Sequence, residues 1–410
     1  MSIKKEKIPI VRFKDFSEPW IKNQLSEVAE FSKGRGYSKK DLQSHGTPII
    51  LYGRLYTSYE SVISNVETYA NLEENSVVSE GGEVIIPASG ESADDISRAS
   101  CVIDRGIILG GDLNIVRPHE YLNSLFIAIT LSNGSQQREL SKRAQGKSVV
   151  HLHNSDLKAV KLFYPSYEEQ SAIGSLFRTL DDLLASYKDN LANYQSLKTT
   201  MLSKMFPKAG QTVPEIRLDG FEGEWEKYYL GDIFEQVSNY IEPSKKNELW
   251  SLTVEKGLTP KTDRYKRDFL VKKNDKFKKV DVQEFVYNPM NLTLGALDLN
   301  DNEVTISVSG YYVVMKNRNM EKFDNDFLKI LLKTTYAIYQ YKQFATGTLI
   351  EKQRVQFPTF SEIPIYLPPI AEQQAIGAYF SNLDNLINSY QDKISQLETL
   401  KKKLLQDMFI

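Results

Sequence analysis

The chain has 410 residues, 41% apolar and 25% charged, with a formal net charge of −2; that is too long for one core and ordinary for two or three soluble globular units. Its single cysteine, Cys101, excludes an intrachain disulfide and a cysteine-rich zinc cluster, so a reducing compartment is expected. No apolar run reaches the ~18 residues of a membrane span and the opening apolar stretch is too short for a signal peptide; a cytoplasmic chain is expected, and its near-neutral charge is not that of a protein that coats DNA indiscriminately.

In chain order, residues 1–164 mix short β-rich runs, "TPIILYGRLYT" and "GEVIIP", with irregular polar stretches, which predicts an α+β domain. The segment "SKGRGYSKKDL" interleaves bases with an aromatic and is followed by Arg54 and Tyr56. Residues 60–104 are the opposite, with 10 acids and only Arg98 basic. A glycine turn, "AQGKS", and an apolar strand running into proline, "KAVKLFYP", close the domain. Residues 165–207 then carry a helical period: Ile173, Leu180, Tyr187, Tyr194 and Met201 fall every seven residues, with Phe177, Leu184, Leu191 and Met205 between them. About 38 helical residues make a rod of roughly 57 Å with one apolar stripe that needs a partner. The rod stops at "MFPKAGQTVP", where Pro207, Gly210 and Pro214 mark a linker.

Residues 208–367 form a second predicted α+β domain that barely resembles the first, with "EVTISVSGYYVVM" reading as strand and "DNDFLKILLKTTYAIYQYKQF" as helix. From Lys245 to Lys279 there are 12 Lys/Arg against 5 Asp/Glu. "ATGTL" and "SEIPIYLPP" close this half as their counterparts close the first. Residues 368–410 then repeat the helix without a gap: Pro165 aligns with Pro368, Glu169 with Glu372, Gln170 with Gln373, Gly174 with Gly377, Asp181 with Asp384 and Lys198 with Lys401. Its seam is Ile376, Leu383, Ile387, Tyr390 and Ile394. "PIVRFKDFSEPW" likewise lies over "PEIRLDGFEGEW". The chain is therefore an internal duplication, variable–helix–variable–helix. The two stripes can pair with one another, dimerise between chains or pack on their own domains; equal length and register favour pairing within the chain through Ile173, Leu180, Leu184, Tyr187 and Leu191 against their repeats.

Catalytic and metal signatures fail on inspection. "GKS" at residues 146–148 lacks the glycine a phosphate loop needs five residues earlier, where Ser141 stands. "VYNPMN" lacks the second proline and the aromatic of the amino-methyltransferase signature and reads as a strand ending in a proline turn. His151 and His153 lack a third metal ligand. No nucleophile, base and orienter assemble, so a binding protein is expected rather than an enzyme.

With "PSYEEQSAIG…LDDLLASY", "PPIAEQQAIG…LDNLINSY" and "VPEIRLDGFEGEW" in place, the chain resembles the specificity subunit of type I restriction–modification systems over nearly its whole length. The resemblance implies two α+β target recognition domains joined by two long helices paired as an antiparallel coiled coil, with a pseudo-twofold internal repeat. The expected division is 1–164 and 208–367 for the domains (the latter with its linker) and 165–207 and 368–410 for the spacer helices. It also implies double-stranded DNA as ligand, with two modification subunits and restriction subunits as partners. These would hold S-adenosylmethionine, ATP and magnesium, and this chain no cofactor or metal. Two unlike domains predict a bipartite, asymmetric site whose gap the helix pair sets. The candidate DNA contacts are Arg35, Tyr37, Lys39, Lys40, Arg54 and Tyr56 in the first domain. In the second they are Lys261, Arg264, Tyr265, Lys266, Arg267, Lys272 and Lys273. The alternatives are a coiled-coil scaffold that binds proteins through its two domains and a fused restriction enzyme.

Overall fold

The computed structural model describes residues 8–146, 149–208, 210–244, 246–261, 277–347 and 353–409. These form two compact units, residues 1–188 with 392–410 and residues 189–391. Each unit is an α+β domain with one stretch of each of two long helices, Tyr167–Lys204 and Ile370–Asp407. Among the described residues no helix is long and apolar enough to cross a membrane.

In the first unit a five-stranded sheet runs in the order Ala29–Lys33, Leu113–Pro118, Glu83–Pro87, Ser100–Val102, Val62–Ile63. Only the last pairing is parallel. Val84, Ile86 and Val116 alternate onto the face that packs against the helix Ser124–Leu131 and the start of the first long helix, while Ile85 and Ile115 fall in a second small core on the other side. In the second unit an antiparallel four-stranded sheet runs Phe234–Val237, Val313–Asn317, Glu284–Tyr287, Leu297–Leu299. Phe285, Tyr287, Val313 and Met315 join Phe327, Phe360 and Phe380 in its main core.

The duplicated motif makes the same contacts twice. Arg12 donates from Nε and Nη2 to both carboxylate oxygens of Glu169, each at 2.7 Å. Arg217 does the same to Glu372, at 2.8 and 2.5 Å. Gln170 accepts from the Asn123 amide at 2.9 Å and donates to the Pro165 carbonyl at 2.9 Å; Gln373 accepts from the Asp324 amide and donates to the Pro368 carbonyl, both at 2.9 Å. Gly174 and Gly377 let the helix press on a neighbouring helix cap: a Cβ there would lie 3.3 Å from Asn123 Oδ1 and 3.1 Å from Asp324 Oδ1.

The helices pair antiparallel within each unit. In the first, Lys401 Nζ bonds Asp181, Lys188 Nζ lies 2.7 Å from Glu398, and the rings of Phe177 and Phe409 are 5.8 Å apart. In the second, Lys198 Nζ bonds Asp384, and the Tyr194 and Tyr390 rings are 5.5 Å apart. The seam also serves the domains: Ile173 and Leu180 share a core with Trp20, Phe126, Met408 and Phe409, and Ile376 and Leu383 share one with Trp225, Phe327, Met205 and Phe206. Leu184, Ile387 and Ile394 are buried, while Tyr187, Leu191 and Tyr390 are half-buried.

Three local expectations are corrected. "TPIILYGRLYT" is strand only over Thr47–Ile50; Arg54–Thr57 is a helical turn, closed by the Thr57 amide and hydroxyl on the Gly53 carbonyl. "EVTISVSGYYVVM" is two strands in different sheets, Ile306–Ser309 and Val313–Asn317, joined by a turn at Gly310–Tyr312. The helix expected after Asp324 is two, Asn325–Leu331 and Thr335–Phe344, because Thr334 caps the second by accepting from the Ala337 amide.

Candidate nucleic-acid interface

The first domain brings two of its predicted segments to one place. The loop Gly34–Tyr37 crosses Leu109–Leu113 at backbone contact: Gly34 N–H donates to Leu113 at 2.9 Å, Arg35 N–H to Leu109 at 3.2 Å and Gly111 N–H to Gly36 at 2.6 Å. A Cβ on Gly34 would lie 1.9 Å from the Gly110 carbonyl oxygen, and one on Gly111 2.7 Å from that of Gly36. Gly110 in turn donates to Ile50, at the end of the strand leading to Arg54. Gly36 and Tyr37 are left-handed at φ +62° and +57°, so the loop reverses sharply. The Tyr37 hydroxyl is tied to the Asn71 carbonyl at 2.8 Å and Ser76 Oγ at 2.5 Å.

This frame sorts the candidate residues. Arg35, Lys39 and Lys40 are exposed and have no ion-pair partner among the described residues. The two lysines ride a short 3₁₀ turn whose Asp41 accepts from the Ser38 amide at 2.7 Å; that bond holds the Asp41 carboxyl below its ordinary range. Arg54 is a strut: its guanidinium donates to Glu60 and to the Asn65 carbonyl, both at 2.7 Å. Tyr56 stacks edge-on with Tyr52, and burial, then Tyr52, Glu91 and Asp95, push its phenol up to about 12. It stays a neutral donor in an acidic neighbourhood. Tyr37 is spent on holding its loop. In the second domain Lys261 is exposed, whereas Arg264, Tyr265, Lys266, Arg267, Lys272 and Lys273 lie outside the described residues.

Several acids of residues 60–104 work inside the domain. Glu83 is buried, caps the Glu80 and Gly81 amides and faces Arg117 at 3.6 Å; Glu60 holds Arg54. His151 and His153 stack at 6.4 Å with Ser89 on His151, and among the described residues no three potential metal ligands converge. Sequence reasoning missed the doublet Gly110–Gly111, 75 residues downstream of Arg35, which pins its loop.

The family model for the type I restriction modification DNA specificity domain matches twice, over residues 17–193 and 222–399. The chain belongs to that family. The type I restriction enzyme MjaVIII specificity subunit of Methanocaldococcus jannaschii is 20% identical over 409 residues, covering 95% of this chain and 91% of the relative. The putative type I restriction enzyme MjaX specificity subunit of the same organism is 23% identical over 310 residues, covering 73% and 70%. The fold is that of the type I restriction–modification S subunit from M. genitalium, at a TM-score of 0.60 and 16% identity over 98% of this chain and 99% of that one. As a member of the family the chain is a DNA-specificity subunit and not a catalytic one, with DNA and the methylating and restricting subunits as its partners.

Proposed function

We propose that the chain reads a split, asymmetric double-stranded DNA site in the cytoplasm, one half-site per domain, with a gap set by the paired helices. It would thereby direct two modification subunits to methylate adenine, or restriction subunits to cut. S-adenosylmethionine, ATP and magnesium would reside on those partners. The observation that carries this reading is the division of labour inside the duplication. The helix motif repeats contact for contact, Arg12–Glu169 as Arg217–Glu372 and Lys401–Asp181 as Lys198–Asp384, while the domains it supports have diverged in sheet and surface. A common frame with two unlike readers suits two unlike half-sites. Arg35, Lys39, Lys40 and Lys261 are the DNA contacts this reading favours among the described residues, Lys for phosphate and Arg for guanine. Arg264, Tyr265, Lys266, Arg267, Lys272 and Lys273 join them on sequence grounds.

The test is methylome sequencing of a host carrying this chain with its partner subunits. One heptad inserted at the same level of both helices, keeping their register, is expected to lengthen the gap and leave both half-sites unchanged. Altered half-site bases with an unaltered gap would refute the ruler. Random methylation would refute the specificity reading itself.

A further inference from the structure

The two domains can be laid over one another by strand register rather than by sequence. In the first, Ala29 pairs with Pro118; in the second, Phe234 pairs with Asn317. The next backbone bond agrees, since the His119 amide donates to Val28 and the Arg318 amide to Ile233. Six residues after Ala29 stands Arg35, and six after Phe234 stands Tyr240. Six residues before Pro118 stands Asp112, and six before Asn317 stands Tyr311. Counted from these registers, just beyond the last paired residues, this rim carries Arg35 and Asp112 in one domain and Tyr240 and Tyr311 in the other.

Both rims are built rigidly. In the first domain the glycine crossing fixes Arg35, and Asp112 is exposed in the left-handed region at φ +57° with its carbonyl accepting from Ala88 at 2.7 Å. In the second, Lys278 joins the two sides: Tyr240 bridges to it along the backbone, and its buried Nζ donates to the Tyr312 carbonyl at 2.6 Å. Tyr311, on that turn, is 88% exposed, and Tyr240 57%. No core explains Tyr311: it is a large ring held in water on a short turn. The rim also adjoins the strand Phe277–Val280, which closes the basic run.

The geometry points to this rim as the base-reading edge of each domain. Arg35 takes the O6/N7 edge of guanine and Asp112 an amino group of cytosine; Tyr311 offers an apolar face to thymine methyl groups. Rigid loops favour such readout because little side-chain or backbone order is lost on binding. Lys39 and Lys40 then supply phosphate contacts that carry no sequence information. The two halves thus differ in chemistry at one shared position of the scaffold. This inference rests on the proposed split-site reading.

The experiment is selection from a pool of randomised duplex DNA by the assembled chain–methylating-subunit complex, for wild type, Arg35→Ala, Arg35→Lys, Tyr311→Ala and Lys39→Ala with Lys40→Ala. All these side chains are on the surface, and circular dichroism with complex assembly checks each fold. Arg35→Ala and Arg35→Lys are expected to relax one position in one half-site, with about 10- to 100-fold weaker binding to the wild-type sequence. Tyr311→Ala is expected to relax the other half-site only, by about tenfold. The lysine pair should weaken all sequences alike and lower the salt dependence. Unchanged selection by Arg35→Ala and Tyr311→Ala overturns the assignment. So does a uniform loss across sequences, which would make Arg35 a phosphate contact. Failed complex assembly by a correctly folded Tyr311→Ala chain would make the rim a protein contact and overturns it too. If the wild-type complex selects no split sequence, the functional reading falls first, and separately.

Discussion

At the scale of residues, the repeated string Glu-Gln-x-Ala-Ile-Gly is explained position by position. The glutamate takes a bidentate arginine from the segment leading into its own domain. The glutamine bridges a helix start and a domain loop, the isoleucine enters the core, and the glycine admits the cap of a neighbouring helix. Glu372 is fully buried and Arg217 nearly so, at 0% and 16% side-chain exposure. Removing only the arginine leaves a buried carboxylate without its counter-charge. Arg217→Ala is expected to destabilise the second unit by about 3–5 kcal/mol, read by urea unfolding. Arg217→Met with Glu372→Leu removes both charges and should recover most of that loss. An equal loss in the double variant would show that the guanidinium's bonds to the Glu222 and Gly223 carbonyls matter more than the ion pair.

At the scale of elements, the linker is tied to the end of the first long helix. The Ile216 amide donates to the Lys204 carbonyl at 2.9 Å, and Glu215 receives Lys204 and Lys208, each at 2.9 Å. Hydrogen bonds from Lys204 and then Lys208 hold the Glu215 carboxyl at about 2, against an ordinary 4.5. A depressed carboxyl contributes its tie fully above the unfolded value and loses it as pH falls through the folded one. The tie should therefore be intact at neutral pH and disappear between about 4.5 and 2. A carbon-13 NMR titration should find that low midpoint, and Lys204→Ala with Lys208→Ala should return it towards 4.5; an unmoved midpoint would sink the account. Long elements such as these helices were legible in the sequence because five heptads average out local noise. The domain interiors were less so, since several strands have two residues and show no period. Nor can sequence distinguish Arg54 from Arg35: both stand among aromatics in basic or neutral text, and only the fold brings Glu60 onto one and leaves the other exposed, with no ion pair among the described residues. Tyr311 was hidden differently, because it read as an ordinary member of the strand run "EVTISVSGYYVVM" until strand register gave it the place that Asp112 has in the other domain.

At the scale of the molecule, the units do not follow the order of the chain. The second is one continuous stretch, residues 189–391, whereas the first needs residues 392–410 as well as 1–188. Phe409 is 6% exposed, with its ring 5.9 Å from Phe126 and 5.8 Å from Phe177. Phe409→Ala is expected to cost the first unit about 3–5 kcal/mol, seen as an earlier unfolding step confined to it by limited proteolysis; a loss in the second unit instead would contradict the division. The arrangement also bears on synthesis. A ribosome delivers residues from the amino end, and a domain ordinarily closes once its last segment has emerged. Here the part made first must wait, with the Trp20–Phe126–Phe177 side of its core uncovered, until the last turns of the second long helix arrive. The part made second can close sooner. Birth order and completion order are reversed, and the half that carries Arg35 becomes whole only after the whole of the second unit has been made.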